Sequence, residues 1–184
     1  LNAAALSWAL GADIGAIQGG LSDFGRAWTD NPGRGQLTEV HGVRVLLDFG
    51  HNPHGVRAIL RMARGMQAQR PGTRMWVSIG QAGDRRDDDL LDLSEAVWEA
   101  RPDQVSLREV QGYERGRDRH EVASIMHERL VSSGQLPDSI QFHDDEVSSI
   151  LAALEWAHEG DLIVHLVHLQ REAVQEALSQ WSPQ

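Results

Sequence analysis

The sequence predicts an α/β fold: a doubly wound, mostly parallel sheet of about six strands with helices on both faces, plus an N-terminal hairpin. Two observations predict it. Short runs of branched apolar residues alternate with amphipathic stretches of ten or more residues, which is the pattern of repeated strand–helix–strand units. Acidic residues also begin several of these stretches, as in Asp87-Asp88-Asp89, and they suit the partial positive charge of a helix N-terminus.

Two short helical stretches come before the predicted sheet. They cover Leu1–Leu10 and Asp13–Leu21, and the turn-forming run Asp30–Gly33 follows them. Such a run of Asp, Asn, Pro and Gly is typical of a linker. We therefore expect a domain boundary there, with residues 1–30 on one side and residues 31–184 on the other.

A hairpin and then alternating strands and helices follow the linker. Gln36–Val40 and Val43–Asp48 flank the turn residues His41 and Gly42, and the second run is rich in branched apolar residues. The further predicted elements are helix Pro53–Gln69, strand Arg74–Ile79, helix Asp87–Ala100, strand Gln104–Leu107, helix Arg119–Val131, strand Ser139–Phe142, helix Asp144–His158, strand Leu162–Leu166 and helix Arg171–Gln180.

Composition excludes several kinds of chemistry. The 184 residues carry a net charge of −10 and include neither Cys nor Lys, so all 17 basic groups are Arg. This excludes Schiff-base lysines, P-loop lysines, thiol nucleophiles and cysteine-ligated zinc. The charge argues against a general nucleic-acid or anionic-membrane surface, and no apolar run reaches the ~18 residues of a membrane span. We expect a cytoplasmic protein, cut from a longer chain because Leu1 lies in what reads as mid-helix.

We expect the functional residues just beyond the carboxyl ends of the strands, where ligands bind to such sheets. The first long strand ends in Asp48-Phe49-Gly50-His51-Asn52-Pro53, which places a carboxylate, an imidazole and an amide around a helix N-terminus. An Asp at a strand tip commonly accepts hydrogen bonds from a ribose diol. From the residues alone, Asn52 could equally cap the helix and Asp48 could be a turn residue.

Three segments resemble the C-terminal domain of the Mur ligase superfamily, which also includes folylpolyglutamate synthetases and cyanophycin synthetase. The first is Pro32–Arg34 followed, after a hairpin, by Asp-Phe-Gly-His-Asn-Pro at Asp48–Pro53. The second, Gly80–Asp89, is similar to a Gly-x-x-Gly-Asp-Arg-Arg-Asp-Glu-Asp stretch of the cyanophycin synthetase branch. The third combines Leu107–Glu109 with Arg-Gly-Arg at Arg115–Arg117 and is similar to another pattern of that branch.

The resemblance implies a fragment of an ATP-dependent amide-bond-forming ligase. In that family a carboxylate is activated as an acyl phosphate, which the amine of an amino acid then attacks. The resemblance as a C-terminal domain runs from Pro32 to about Leu169, and Leu1–Phe24 fits the last helices of the preceding central ATPase domain. ATP and Mg²⁺ would be bound mainly by that missing domain, which carries the P-loop, so the isolated fragment is expected to be inactive.

The implied partners are ATP, an amino acid, a carboxylate acceptor and the missing domains of the same chain, without nucleic acid or membrane. The expected ATP contacts are Arg34, at phosphate or ribose, Asp48, at the ribose hydroxyls, and His51 and Asn52, on the adenine or interdomain side. The expected contacts of the incoming amino acid are Asp84, Arg85, Glu109 and Arg117. No residue of the fragment is assigned a catalytic role.

No metal site is expected within the fragment. His165 and His168 are three residues apart, and residues three apart on a strand point to opposite faces of the sheet. The pair is therefore poorly placed to chelate a metal ion.

Two alternatives stay open. One is a peptidoglycan-type Mur ligase or a folylpolyglutamate synthetase, with a different acceptor and amino acid. The other is a non-catalytic Rossmann-like binding domain that merely retains the motif. A dehydrogenase is disfavoured, because no Gly-x-Gly-x-x-Gly follows a strand.

Overall fold

The computed structural model describes residues 2–23 and 33–183, which belong to two compact units, Leu1–Pro32 and Gly33–Gln184. The predicted linker residues Asp30, Asn31 and Pro32 lie outside the described residues. In the first unit, helices α1 (Asn2–Ala9) and α2 (Ile14–Asp23) bury none of their residues. Among all the described helices, none combines the length and the apolar character that crossing a membrane requires.

The second unit is built on a six-stranded mixed sheet. Its strands are β1 (Gln36–Val40), β2 (Val43–Asp48), β3 (Met75–Ile79), β4 (Gln104–Arg108), β5 (Ile140–His143) and β6 (Leu162–Leu166). They lie in the order β1-β2-β6-β3-β4-β5. Strands β1 and β2 pair antiparallel, and every other neighbouring pair is parallel. The predicted sheet is confirmed. The β1–β2 hairpin lies at the start of this unit, and helices α1 and α2 precede it in the chain.

Four helices connect the strands, and a fifth follows the last strand; together they cover the sheet. They are α3 (Pro53–Ala68), α4 (Asp87–Glu99), α5 (Glu121–Ser133), α6 (Glu146–Trp156) and α7 (Arg171–Gln180). Apolar side chains of α3, α4 and α5 form one buried cluster with alternate residues of the central strands. Helix α6 packs on the opposite face, and α7 packs against α6. A short 3₁₀ turn, Pro137–Ser139, precedes β5 and was not among the predicted elements.

The face of the sheet beneath α6 carries a buried polar layer. Successive residues of a strand point to opposite faces, so Ser78 and Ser106 face α6 while their neighbours enter the apolar cluster. The Ser149 hydroxyl of α6 bonds to the hydroxyls of Ser78, at 2.5 Å, and Ser106, at 2.7 Å. The Ser106 hydroxyl also lies 2.8 Å from Nδ1 of His143. Buried polar groups need such partners, and here they supply them to one another.

The parallel pairing brings five strand ends to one edge of the sheet. Strands β2, β6, β3, β4 and β5 are consecutive and parallel, so their carboxyl ends lie side by side. The segments that leave these ends, after Asp48, Ile79 and Arg108, include every region in which site residues were expected except the turn of Arg34, which precedes β1.

Candidate functional site

An open cleft of about 430 Å³ lies at the carboxyl edge of the sheet. Its walls come from the loops that follow β2, β3, β4 and β6, which is where ligands bind in open α/β sheets. Side chains with polar or aromatic groups that line it include Phe49, His51, Gln81, Asp84, Arg85 and His168.

Asp48 fastens two loops at the end of β2. Its Oδ1 accepts a hydrogen bond from the amide of Gly50 and its Oδ2 accepts one from the amide of Gly35, both at 2.7 Å. The turn that contains Arg34 is thereby held against the strand end. Each carboxylate oxygen has a second lone pair, and the side chain is only half-buried, so Asp48 can still accept hydrogen bonds from a ligand.

Phe49 supports the side chain of Arg34. The guanidinium carbon of the exposed Arg34 lies 4.3 Å from the centroid of the Phe49 ring, a cation–π arrangement. The same ring makes edge contacts with the rings of His51 and His168, each with centroids 5.3 Å apart. Arg34 and His51, two of the expected ATP contacts, are therefore brought together by Phe49, to which the sequence analysis assigned no role.

Asn52 acts as the N-cap of α3. Its Oδ1 accepts a hydrogen bond of 2.9 Å from the amide of Gly55, and Pro53 follows at the first helical position. Unlike His51, Asn52 does not line the cleft. The capping alternative therefore describes its geometry, and a contact with ATP stays a prediction.

The loop after β3 supplies the opposite wall of the cleft. Asp84 lines the cleft and forms an ion pair with Arg115 of the loop after β4. Arg85 also lines it, and its guanidinium has no hydrogen-bond or ion-pair partner among the described residues. A free guanidinium and an acidic group thus stand close together at this wall.

Gly83 brings the loops after β3 and β4 into direct backbone contact. Its amide donates a 2.8 Å hydrogen bond to the carbonyl of Tyr113. A Cβ atom at this position would lie 1.8 Å from the carbonyl oxygen of Glu114, so only glycine fits.

Arg117 fastens the loop after β3 instead of lining the cleft. Its guanidinium donates to the carbonyls of Gly83 and Arg85, at 2.9 and 2.8 Å, and to the carboxylates of Asp87 and Glu121, at 2.6 and 2.8 Å. These partners raise its pKa, with the Asp87 hydrogen bond as the largest cause. Four of the five N–H groups of its guanidinium therefore donate to other groups of the protein.

Glu109 also lies outside the cleft. Its carboxylate is 3.2 Å from Nδ1 of His120 and faces two smaller pockets of about 180 and 220 Å³. The four residues expected to contact an amino acid therefore do not all line the same cleft. Asp84 and Arg85 meet in the cleft, whereas Glu109 and Arg117 do not line it.

Gln81 is a cleft residue that the sequence reasoning missed. The residue is 5% exposed, and its side-chain amide nitrogen has no hydrogen-bond partner among the described residues. A buried donor without an acceptor is costly, and a ligand in the cleft could satisfy it. The sequence signal that could have identified Gln81 as a cleft residue is its position directly after β3 and Gly80.

His168, also missed, joins the loop after β6 to the loop after β2. Its Nε2 lies 3.1 Å from the carbonyl oxygen of Gly50; since a carbonyl only accepts, this nitrogen carries the proton. Burial, followed by the charge of Arg108, lowers the pKa of His168 from 6.5 to about 4, so the ring is neutral near pH 7. His165 is fully buried within β6, and burial holds its pKa well below the ordinary value.

The site can bind and orient charged ligands. Arg85 and Gln81 offer donors inside the cleft. Arg34 and Asp48 do not line it; they offer a cation and a carboxylate beside its Phe49 wall. In residues 2–23 and 33–183, no three His, Asp or Glu side chains converge as metal ligands.

Comparison with known proteins identifies the family. A family model described as "Mur ligase, glutamate ligase domain" matches residues 33–166. The chain is 30% identical over 166 residues to a cyanophycin synthetase from Geminocystis herdmanii, an alignment that covers 89% of this chain and 18% of that protein.

Two solved structures show the same fold. One is a UDP-N-acetylmuramoyl-L-alanyl-D-glutamate–2,6-diaminopimelate ligase, with a TM-score of 0.63 and 18% identity, matched over 96% of this chain and 37% of that one. The other is Escherichia coli FolC in complex with DHPP and ADP, with a TM-score of 0.63 and 20% identity, matched over 91% and 35%.

The family match covers most of the second unit, from the turn before β1 to the end of β6. The chain spans about 18% of the length of the cyanophycin synthetase that it resembles, so it corresponds to one part of such a protein. The chain therefore belongs to the Mur ligase family, in which it matches the glutamate ligase domain.

Proposed function

We propose that this chain is the C-terminal domain of an ATP-dependent, amide-bond-forming ligase and helps to bind ATP and the incoming amino acid. The observation that carries the proposal is the cleft on which the loops after Asp48 and after Ile79 converge. Since the curated relatives include cyanophycin synthetases, we favour that branch over a peptidoglycan-type ligase or a folylpolyglutamate synthetase.

The nucleotide would lie on the Asp48 side of the cleft. Asp48 would accept hydrogen bonds from the ribose hydroxyls with its unused lone pairs. Arg34, stacked on Phe49, would present its planar fork to a phosphate or to the ribose. His51 would contact the base or the neighbouring domain. FolC, whose structure contains the same fold, binds ADP, which supports a nucleotide as one ligand of the proposed ligase.

The amino acid would lie on the other side of the cleft, against the loop after β3. The unpaired guanidinium of Arg85 and the buried amide of Gln81 are both donors, and a carboxylate would accept from both. Asp84 would stay close to Arg115 and limit the space beside the ligand. In this proposal Arg117 supports the loop, and Glu109 contacts no ligand in the cleft.

The reaction itself would be completed by other domains. A carboxylate activated as an acyl phosphate would be attacked by the amine of the bound amino acid, while Mg²⁺ neutralises charge on the transferred phosphate. Residues of this chain would orient the amine, hold the ribose and exclude water when the domains close. The chain alone is therefore expected not to turn over ATP.

Steady-state kinetics of the full-length ligase that carries this chain would test the assignment. We expect Asp48→Asn to raise KM for ATP roughly 10- to 100-fold, the value of a lost charged hydrogen bond, with little change in KM for the amino acid. Arg85→Gln should do the reverse. Arg61→Gln, at an exposed position of α3, serves as the control and should change neither constant.

Three results would contradict the proposal. Unchanged KM for ATP and unchanged kcat in Asp48→Asn would favour a binding domain in which the motif has no role in catalysis. If both variants changed KM for ATP and KM for the amino acid equally, the two substrates would not bind on separate sides of the cleft. ATP turnover by the isolated chain would remove the need for another domain.

A further inference from the structure

We infer that Glu146 is a positioning residue for the cleft and that buried Arg108 supplies its counter-charge. Together they fix the loop after β6, residues 168–170, two of whose side chains line the cleft wall. The structural part of this inference is independent of what the cleft binds. Its functional part rests on the function proposed above.

The Glu146 carboxylate accepts hydrogen bonds from three successive backbone amides. Oε1 accepts from the amide of His168 at 2.6 Å, Oε2 accepts from that of Gln170 at 2.7 Å, and the amide of Leu169 lies 3.1 and 3.3 Å from the two oxygens. In return, Oε1 of Gln170 accepts from the amide of Glu146 at 2.9 Å. These bonds lock the start of α6 to the loop that precedes α7.

Arg108 balances this carboxylate at the end of β4. The two side chains are 0% and 3% exposed, and Nη1 of Arg108 lies 3.0 Å from Oε1 of Glu146. Burial lowers the pKa of Arg108, whereas the charges of Glu146 and Asp145 oppose that effect. Arg108 therefore places a positive charge against the Glu146 carboxylate where both side chains are almost fully shielded from solvent.

The pair also touches the loops from the other strands of the cleft. A Cβ atom at Gly80 would lie 2.5 Å from the Arg108 carbonyl oxygen and 3.1 Å from its Nη1, so the loop after β3 begins directly on Arg108. On the other side, the His168 ring reaches the carbonyl of Gly50 in the loop after β2. The ends of β2, β3, β4 and β6 are thus connected through this one buried pair.

An ion pair is not the only arrangement that can stabilise a buried position of this kind. Replacing a buried ion pair by apolar side chains of similar volume is often neutral or stabilising. An apolar side chain, however, cannot accept hydrogen bonds from the amides of His168, Leu169 and Gln170. The double substitution therefore separates the two roles, because it can preserve folding while it releases the loop.

The test compares Arg108→Met/Glu146→Leu with a matched control, Arg57→Met/Glu99→Leu, which removes the exposed ion pair between α3 and α4. Amide hydrogen exchange is measured by NMR on the 184-residue chain, and KM and kcat on the full-length ligase. In the first variant we expect exchange at residues 168–170 to accelerate at least roughly tenfold, while exchange at Val77 in β3 stays slow. We also expect KM for the amino acid to rise more than kcat falls. The control should change none of these quantities.

Each outcome decides one part of the inference. Slow exchange at residues 168–170 in the double variant overturns the positioning role. Fast exchange there with unchanged KM keeps that role and contradicts the proposed use of the cleft instead. If the double variant does not fold, the unsubstituted chain still decides, because amides at 168–170 that exchange as fast as exposed loops would exclude the lock. Glu146→Asp, which keeps the charge but shortens its reach, should give intermediate exchange.

Discussion

At the scale of single residues, position was predictable and partners were not. A buried apolar run that ends in Asp48 places that carboxylate at the edge of the sheet. The sequence could not show that its oxygens hold Gly35 and Gly50, because that depends on how a distant turn folds back. Spacing likewise put Glu109 and Arg117 after a strand, but only tertiary packing turns them away from the cleft.

The electrostatics of His168 lead to a prediction about pH. Its pKa is lowered to about 4 by burial first and then by Arg108 and His51, against the raising effects of the Gly50 carbonyl and Glu146. Between pH 6.5 and about 4, the unfolded chain binds a proton that the folded protein does not. The free energy of unfolding should therefore be greatest above pH 6.5 and fall as the pH decreases, by on the order of 3 kcal/mol for this group.

Urea unfolding at pH 7.5, 6 and 5 would measure this loss. His168→Gln removes the titrating ring but keeps a donor for Gly50, so its stability should fall less steeply over the same range. His165, whose pKa is also lowered, acts in the same direction and remains in both proteins. An NMR titration in which the His168 ring protonates near pH 6.5 would contradict the prediction.

At the scale of elements, the hydrophobic pattern predicted nearly all of the strands and helices. Each strand and helix begins and ends within about three residues of its predicted bounds, because apolar periodicity and polar breaks are local features. The polar layer beneath α6 was not predictable. Ser78, Ser106 and Ser149 look like ordinary strand and helix residues, and only the packing of α6 on the sheet makes them partners.

The contact between the loops after β3 and β4 depends on Gly83. We expect Gly83→Ala to destabilise the protein by about 1–3 kcal/mol, as overpacking does, because the new Cβ would meet the backbone of Glu114. Its control is Gly65→Ala, at an open site within α3, which should stabilise by about 0.5–1 kcal/mol through helix propensity. Chemical denaturation checks both. Equal stabilities of Gly83→Ala and the parent would show that the two loops can separate at no cost.

At the scale of the whole molecule, strand order creates the site. The last strand, β6, is inserted between β2 and β3, so His168 meets Gly50, which lies 118 residues earlier in the chain. The rules of chain connection allow several strand orders for the same series of elements, and no local pattern selects one. The chain thus contained the cleft residues in recognisable segments, while the identity of their neighbours across the cleft followed only from the topology.

The second unit contains all the buried apolar residues of the described chain, from Val43 to Leu178. We therefore expect residues 33–184 alone to unfold in one cooperative transition, with a Tm within roughly 2–4 °C of the parent, which corresponds to about 1 kcal/mol for a domain of this size. Removing α7 instead should lower Tm well beyond that range, because Val174 and Leu178 are buried. Calorimetry and near-UV circular dichroism distinguish the two truncations. A non-cooperative transition or a lost near-UV signal in residues 33–184 would show that this core is not sufficient for a unique fold.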